Sequence, residues 1–312
     1  MLLVRAAAFA MLDHLEECDV PFPSPLPSMN ALAKQHRPGK FGYVTKNRNQ
    51  AADLLFTHTS YQRIYPTYME PYRRKRFQLL ELGLAGTASI NLWLSYFPCA
   101  VIHGVDLFIS VTVNVAGRNV TTHKVDTSNV QSLENLVQRT GRFDVIVDDA
   151  GHHVSDQLTA YSWLFENGLT PGGLYIIEDI ETSYWQPGQR LYGSRLRGAS
   201  GCSAEAKRHR PSTVDTFRDI IDAPINGKFS DHQRVVTGPR DHWVRSVAFA
   251  QNVIILTKKD EHDCFAEGPY VWAHKLEKSC GKRACQVAHV GAYWGLQPAC
   301  ASCTVSAVYL AA

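Results

Sequence analysis

The 312-residue chain has no apolar run of the ~20 residues that a membrane-spanning helix requires. The nearest approach, Leu2 to Leu12, is interrupted by Arg5 and followed by an acidic turn from Asp13 to Asp19. A secretory leader has a longer unbroken apolar core and a small-residue cleavage site. The expectation is therefore a soluble cytoplasmic protein with no membrane partner. Charge of one sign is also scarce. Lys and Arg number 32 against 29 Asp and Glu, a net charge of +3. A nucleic-acid partner would want a concentrated basic face, and none is expected. No internal repeat is visible, so a repeat architecture is not expected either. Cysteine is not needed as a staple, because a chain of this length can bury a core without it. Of the eight cysteines, Cys18, Cys99 and Cys202 are scattered, and Cys264, Cys280, Cys285, Cys300 and Cys303 crowd the C-terminal end.

What is present divides the chain into three. Residues 1–50 read as an arm or linker, because PFPSPLPS carries four prolines and the stretch to Gln50 is polar with Gly39 and Gly42. Residues 51–72 carry apolar Leu54, Leu55, Ile64 and Met69 among aromatics and read as helical. From Phe77 onward short apolar runs alternate with helical spacing. FQLLEL, VIHGV, VTTHKV, FDVIV and GLYIIE read as buried strands. Residues 88–97, 130–138, 154–165 and 214–221 read as helices. WVRSVAFA and NVIILTK close the domain as an antiparallel hairpin. Alternation of this kind implies a doubly wound α/β domain over residues 51–258, with a mostly parallel seven-stranded sheet ending in that hairpin. Residues 186–212 read as a mobile basic loop, and 259–312 as a cysteine-rich tail.

Each of the first five strands ends in an acid: Glu81, Asp106, Asp126, Asp148 with Asp149, and Glu178 with Asp179. Ligands of open α/β sheets bind outside the carboxyl ends of the strands. One or two such acids are accounted for as helix caps; the whole row is not. In Glu81-Leu82-Gly83-Leu84-Ala85-Gly86 the glycines permit a tight turn and close approach of a ligand. Asp106 follows Gly86 by 20 residues, where a carboxylate can accept from ribose hydroxyls. The loop lacks the third glycine that sets a helix N-terminus against a pyrophosphate. It carries Glu81 instead, which would repel pyrophosphate and suit a cationic methionine moiety. S-adenosyl-L-methionine is thus favoured over NAD. Asp149, Glu178 and Asp179 can converge as three carboxylates, a donor set suited to a hard cation such as Mg²⁺. His152, three residues after Asp149, can take the proton of a substrate hydroxyl held there. Taken singly, His152 also reads as a cap or buried histidine, and Glu178-Asp179 as a solvated loop.

The stretch from FQLLELGLAG to HGVDL, then FDVIVDDAGHH and LTPGGLYIIEDIETSYW, resembles the metal-dependent sugar O-methyltransferases of the macrocin and mycinamicin type. HTSYQRIYPTYM ahead of the first strand, and STVDTFRDIIDAPING with the final hairpin after it, are similar to the family's lead-in and closing elements. The resemblance covers about residues 53–258. It implies a Rossmann-like methyltransferase fold, Mg²⁺ on Asp149, Glu178 and Asp179, and His152 as base. It implies cofactor contacts from Glu81, Gly83, Ser89, Asp106, Asp126 and Asp148, with Asp126 near the adenine. It further implies a hydroxyl-bearing, glycosylated small-molecule acceptor and a homo-oligomer. The chain departs from the pattern at Leu54, where a lysine is expected nearby, at Thr127, at Ala150-Gly151 and at His153. Tyr184 and Trp185 match the family's aromatic pair, which suits either a sugar or a core.

Two other functions are compatible with the fold: a nicotinamide-dependent oxidoreductase, and a cofactor-binding module without turnover. In the tail, Cys280-x₄-Cys285 and Cys300-x₂-Cys303, fourteen residues apart, superficially resemble a structural zinc arrangement. Free thiols in an unstructured tail are the plainer expectation, and the resemblance has no counterpart for residues 280–312.

Overall fold

The computed structural model describes residues 12, 14–38, 40, 60–84, 86–108, 113–115, 118–184, 190–191, 194–195, 212–221, 241 and 243–260. The tail cysteines Cys264, Cys280, Cys285, Cys300 and Cys303 lie outside the described residues, as do Leu54, Cys202, Trp185 and most of 186–212.

Apolar runs become strands where both faces are covered. FDVIVD forms β5 (Phe143–Asp148) and VIILTK forms β10 (Val253–Lys258), each buried at all six positions. With them stand β1 (Gln78–Leu82), β2 (Val101–Asp106), β3 (Val113–Val115), β4 (Arg118–Lys124), β6 (Leu169–Glu178) and β9 (Val244–Ala250). The order across the sheet is β3-β4-β2-β1-β5-β6-β10-β9. The strands from β4 to β6 pair in parallel, and β10 and β9 return antiparallel. These are the seven expected strands with their terminal hairpin. The eighth, β3, is a three-residue antiparallel addition at the β4 edge. Within the expected basic loop, β7 (Arg190–Leu191) and β8 (Ser194–Arg195) pair as a separate ribbon.

Helices α3 (Ala88–Tyr96), α4 (Val130–Thr140), α5 (Val154–Trp163) and α6 (Thr213–Ile220) fall where the 3.6-residue spacing put them. The side chain of Asn129 caps α4 by accepting from Ser132 N at 3.2 Å. Past α5 the chain makes a π turn, Leu164–Gly168. The buried Lys258 donates to the carbonyls of Phe165 (2.6 Å), Glu166 (3.1 Å) and Leu169 (2.9 Å), satisfying groups that a helix end leaves open.

The N-terminal segment corrects one expectation. Residues 20–50 read as irregular, yet Met29–His36 forms helix α1, capped by Ser28. Met29, Leu32 and Ala33, spaced i, i+3, i+4, are buried in the same core as α3. Prolines and glycines flank this helix and dominate the local composition. Three apolar residues in the right places suffice once α3 offers a face to pack on. Ahead of it, a disulfide joins Cys18 to Cys99, with Cα atoms 5.7 Å apart, and Glu17 pairs with Lys75 at 2.7 Å. Of residues 51–72, expected to be helical, the described part forms the α-turn α2 (Tyr65–Met69) flanked by 3₁₀ turns, Tyr61–Arg63 and Glu70–Arg74.

Candidate active site

Side chains alternate along a strand, and that period sorts the acids. In β1, Leu79 belongs to the core under α1, α2 and α3, whereas Leu80 and Leu82 belong to the core on the other side. Glu81 is therefore on the α1–α3 face. In β6, Leu174 and Ile176 share that face, which puts Glu178 there too. In β5, Val145 and Val147 share it, and Ile146 does not. Asp148 accordingly points the opposite way. It is 2% exposed and accepts from Tyr175 Oη at 3.3 Å and from Ala150 N at 3.4 Å. Burial, the main cause, pushes its carboxyl up to about 7. Expected among the cofactor contacts, Asp148 instead stands behind the loop that carries Asp149 and is not among the residues lining the cleft described below.

Glu81 and Glu178, both fully buried, meet a cation that the sequence reading left in the arm. Lys40 Nζ lies 2.6 Å from Glu81 Oε1, 2.9 Å from Asp149 Oδ2 and 3.0 Å from Glu178 Oε1. Burial alone would lower the Lys40 pKa, but Asp149, Glu178 and Glu81 together hold it well above the ordinary lysine value. Glu81 also accepts from Ser89 Oγ at 2.8 Å. Tyr65 Oη donates to Glu178 Oε1, and Glu178 Oε2 is buried with no hydrogen-bond partner among the described residues. Burial and the neighbouring Asp149 push the Glu178 carboxyl well above the usual range, with Lys40 opposing them.

At the strand ends, Asp149, His152 and Asp179 form a group whose ligand-type atoms all lie within 4.8 Å of one another. His152 Nε2 is 3.8 Å from Asp149 Oδ1 and 3.7 Å from Asp179 Oδ2. Tyr61 Oη donates to Asp179 Oδ1 at 2.7 Å, and Asn252 Nδ2 to the same oxygen at 3.2 Å. Burial, with Glu178 and Asp179 nearby, raises the Tyr61 pKa, so its hydroxyl stays a donor. His152 and Asp179 both hold left-handed backbone, with φ of 52° and 55°. Such conformations are uncommon for non-glycine residues and cluster at functional sites. Glu178, expected beside Asp149 and Asp179, stands outside this group and faces Lys40 and Tyr65.

Asp149, His152 and Asp179 border a cleft of about 760 Å³ at the carboxyl edge of the sheet. Of the residues expected to contact a cofactor, Gly83, Ser89, Asp106 and Asp126 are in its walls and Glu81 is not; Lys40, Asp149, His152 and Asp179 stand at the other end. Gly83 has φ +85°, and a Cβ there would fall 2.1 Å from the Asp149 carbonyl oxygen. Its close approach is thus to the neighbouring loop, which it allows to cross the end of β1. Both Asp106 oxygens accept backbone N–H groups, from Leu84 at 3.0 Å and Phe108 at 2.9 Å, which orients the carboxylate on the cleft wall. Asp126 accepts from Ser128 N at 3.0 Å and Oγ at 2.6 Å. Phe108, 86% exposed, offers an aromatic face beside Asp106. Tyr184 is half exposed, away from this cleft on a separate groove with Phe249.

The donor set fits a hard divalent cation. It offers carboxylate oxygens from Asp149 and Asp179, a buried Glu178 oxygen with no hydrogen-bond partner among the described residues, and an ammonium already drawn onto Asp149 and Glu178, with the His152 imidazole beside them. Sequence reasoning missed Lys40, Tyr61, Tyr65 and Asn252. The two tyrosines lay in the segment noted as a family lead-in, and that was the one available signal. Nothing in the local pattern around Lys40 or Asn252 marks them.

No protein-family profile matches the chain. Among curated proteins it is similar to the 8-demethyl-8-alpha-L-rhamnosyl tetracenomycin-C 2'-O-methyltransferase of Streptomyces olivaceus. The two are 27% identical over 243 residues, covering 75% of this chain and 55% of that protein. It is also similar to the mycinamicin VI 2''-O-methyltransferase of Micromonospora griseorubida, at 29% identity over 166 residues, 51% of this chain and 38% of that protein. The chain thus spans about half the length, or less, of these relatives. Its fold matches a solved structure of the MycE methyltransferase in complex with Mg, SAH and mycinamycin VI. The TM-score is 0.58 at 24% identity, covering 76% of this chain and 56% of that one. The architecture is the α/β methyltransferase fold. No helix among the described residues is long and apolar enough to cross a membrane.

Proposed function

We propose that this chain is an S-adenosyl-L-methionine-dependent, Mg²⁺-assisted O-methyltransferase acting on a sugar hydroxyl of a glycosylated natural product. The observation that carries the reading is the Asp149–His152–Asp179 group at one end of a cleft whose other end presents Asp106 and Asp126. The similar proteins, named as methyltransferases of sugar-bearing tetracenomycin and mycinamicin, support the acceptor class.

Asp149 and Asp179, with Glu178 behind them, would hold the cation. When bound, the cation and the cofactor would supply, respectively, a lowered hydroxyl pKa and an activated methyl group. The remaining work belongs to the chain. Asp106 would bind the ribose hydroxyls, with Asp126 beside the adenine and Phe108 available to stack on a ring. Gly83 and Ser89 would border the methionine end, with Glu81 buried behind Ser89. Tyr61 and Asn252 hold Asp179 in one orientation. His152 Nε2, between Asp149 and Asp179, would take the acceptor proton as the hydroxyl oxygen attacks. The buried floor of Glu81, Glu178 and Tyr65 excludes water from below.

The test is methyl transfer from S-adenosyl-L-methionine to a panel of glycosylated macrolides and polyketides, followed by mass spectrometry. A product heavier by one methylene is expected with Mg²⁺. Excess chelator should abolish it and added Mg²⁺ should restore it. Full turnover in chelator would remove the metal from the reading. Cofactor binding without transfer to any acceptor would favour the non-catalytic module, and NAD binding in preference would favour the oxidoreductase.

A further inference from the structure

Lys40 is the part of this site for which the proposed chemistry has no use. Its side chain is 7% exposed, and its ammonium touches three carboxylates at 2.6–3.0 Å. Two of the three, Asp149 and Glu178, are the ones assigned above to a cation. Glu81, Asp149, Glu178 and Asp179 bring four carboxyl groups into one largely buried neighbourhood. Like charges so placed cannot all remain ionised without a compensating cation. Among the described residues Lys40 supplies that charge from within the chain.

Two of the three carboxylates are also held by other groups. Glu81 is tied to Ser89 Oγ, Glu178 to Tyr65 Oη, and Asp149 follows the fully buried β5. Lys40, by contrast, is a compact charge on a flexible four-carbon stem. It lines the open cleft, which gives the side chain space to withdraw into. A hard divalent cation seeks the same oxygens at close range, and an ammonium sharing them would repel it.

We propose that Lys40 is a resident cation of this site. Its ammonium is the counter-charge shared by Glu81, Asp149 and Glu178 while the site lacks metal, and it gives up Asp149 and Glu178 when a divalent cation binds. The inference rests on the reading of those two residues as cation ligands. Its consequence is that the carboxylates are assembled before metal arrives, and that metal affinity is set by exchange against the lysine.

The experiment is Mn²⁺ binding to the full chain without cofactor, followed by electron paramagnetic resonance, for wild type and Lys40→Met. Lys40→Met should bind Mn²⁺ about 10-fold or more tightly, the scale on which groups beside metal ligands shift affinity. Equal or weaker binding by the variant would overturn the proposal and leave the cation reading standing. Absence of Mn²⁺ binding in both proteins would overturn the two together. Should Lys40→Met fail to fold, wild type alone decides. Acylation of the Lys40 amine, read by mass spectrometry, should rise several-fold when saturating Mn²⁺ is added. Unchanged or reduced labelling would overturn the exchange.

Discussion

His152 and Asp179 each hold a left-handed backbone conformation, a strain of roughly 1–3 kcal/mol per residue that the surrounding structure must offset. The strain aims both side chains at Asp149. If His152 takes the acceptor proton, His152→Ala should lower turnover by about 10²–10⁴-fold. Cofactor affinity should stay nearly unchanged, since the ring lies across the cleft from Asp106 and Asp126. Single-turnover kinetics and titration calorimetry measure the two separately, and undiminished turnover would remove His152 from the mechanism. The spacing of Asp149 and His152 was visible in the sequence because both sit on one short loop. The supports of the site were not. Tyr61 and Tyr65 reach Asp179 and Glu178 across more than a hundred residues, and Lys40 reaches Glu178 across 138.

At the level of elements, strand ends were legible because a buried parallel strand is a short apolar run that stops at a polar residue. Which way each acid points follows from the period of two, counted along the strand. That count separates Asp148, bonded to Tyr175 on one face, from Glu81 and Glu178 on the other. Helix α1 was hidden by flanking prolines and is held by packing. The segment before it is tied down by the Cys18–Cys99 disulfide, which closes a sequence separation of 81 residues. Loops of that length stabilise mainly by restricting the unfolded chain. Cys99→Ser should therefore cost roughly 2–4 kcal/mol. Denaturant titration of the variant, and of wild type with and without reductant, reads the loss. Coincident midpoints would show that the tie contributes nothing.

For the whole molecule, a histidine pair away from the site links stability to pH. His103 on β2 stacks on His123 of β4 with ring centroids 5.4 Å apart, and meets Phe143 edge-on at 5.5 Å. Burial, with His123 adding to it, pushes the His103 pKa from 6.5 down to about 4. The unfolded chain then binds the proton more readily than the folded one between those values. Stability is retained above pH 6.5 and is lost as pH falls toward 4. His103→Phe should flatten the acid limb of the Tm profile over that interval and leave Tm near pH 8 little changed. A limb as steep as that of wild type would reject the linkage.

The strand–helix alternation, the seven strands of the expected sheet and the row of acids along one edge are written in the order of residues along the chain. Those are local properties: apolar runs, helical spacing, and the residue that ends each run. Which acids meet depends on how the chain packs. A side chain's face, its depth and its partner depend on neighbours that are close in space and distant in the chain. That is why Glu178 and Asp179, adjacent in sequence, have different immediate partners. Asp179 joins Asp149 and His152 at the lip of the cleft, while Glu178 lies beneath it against Lys40 and Tyr65.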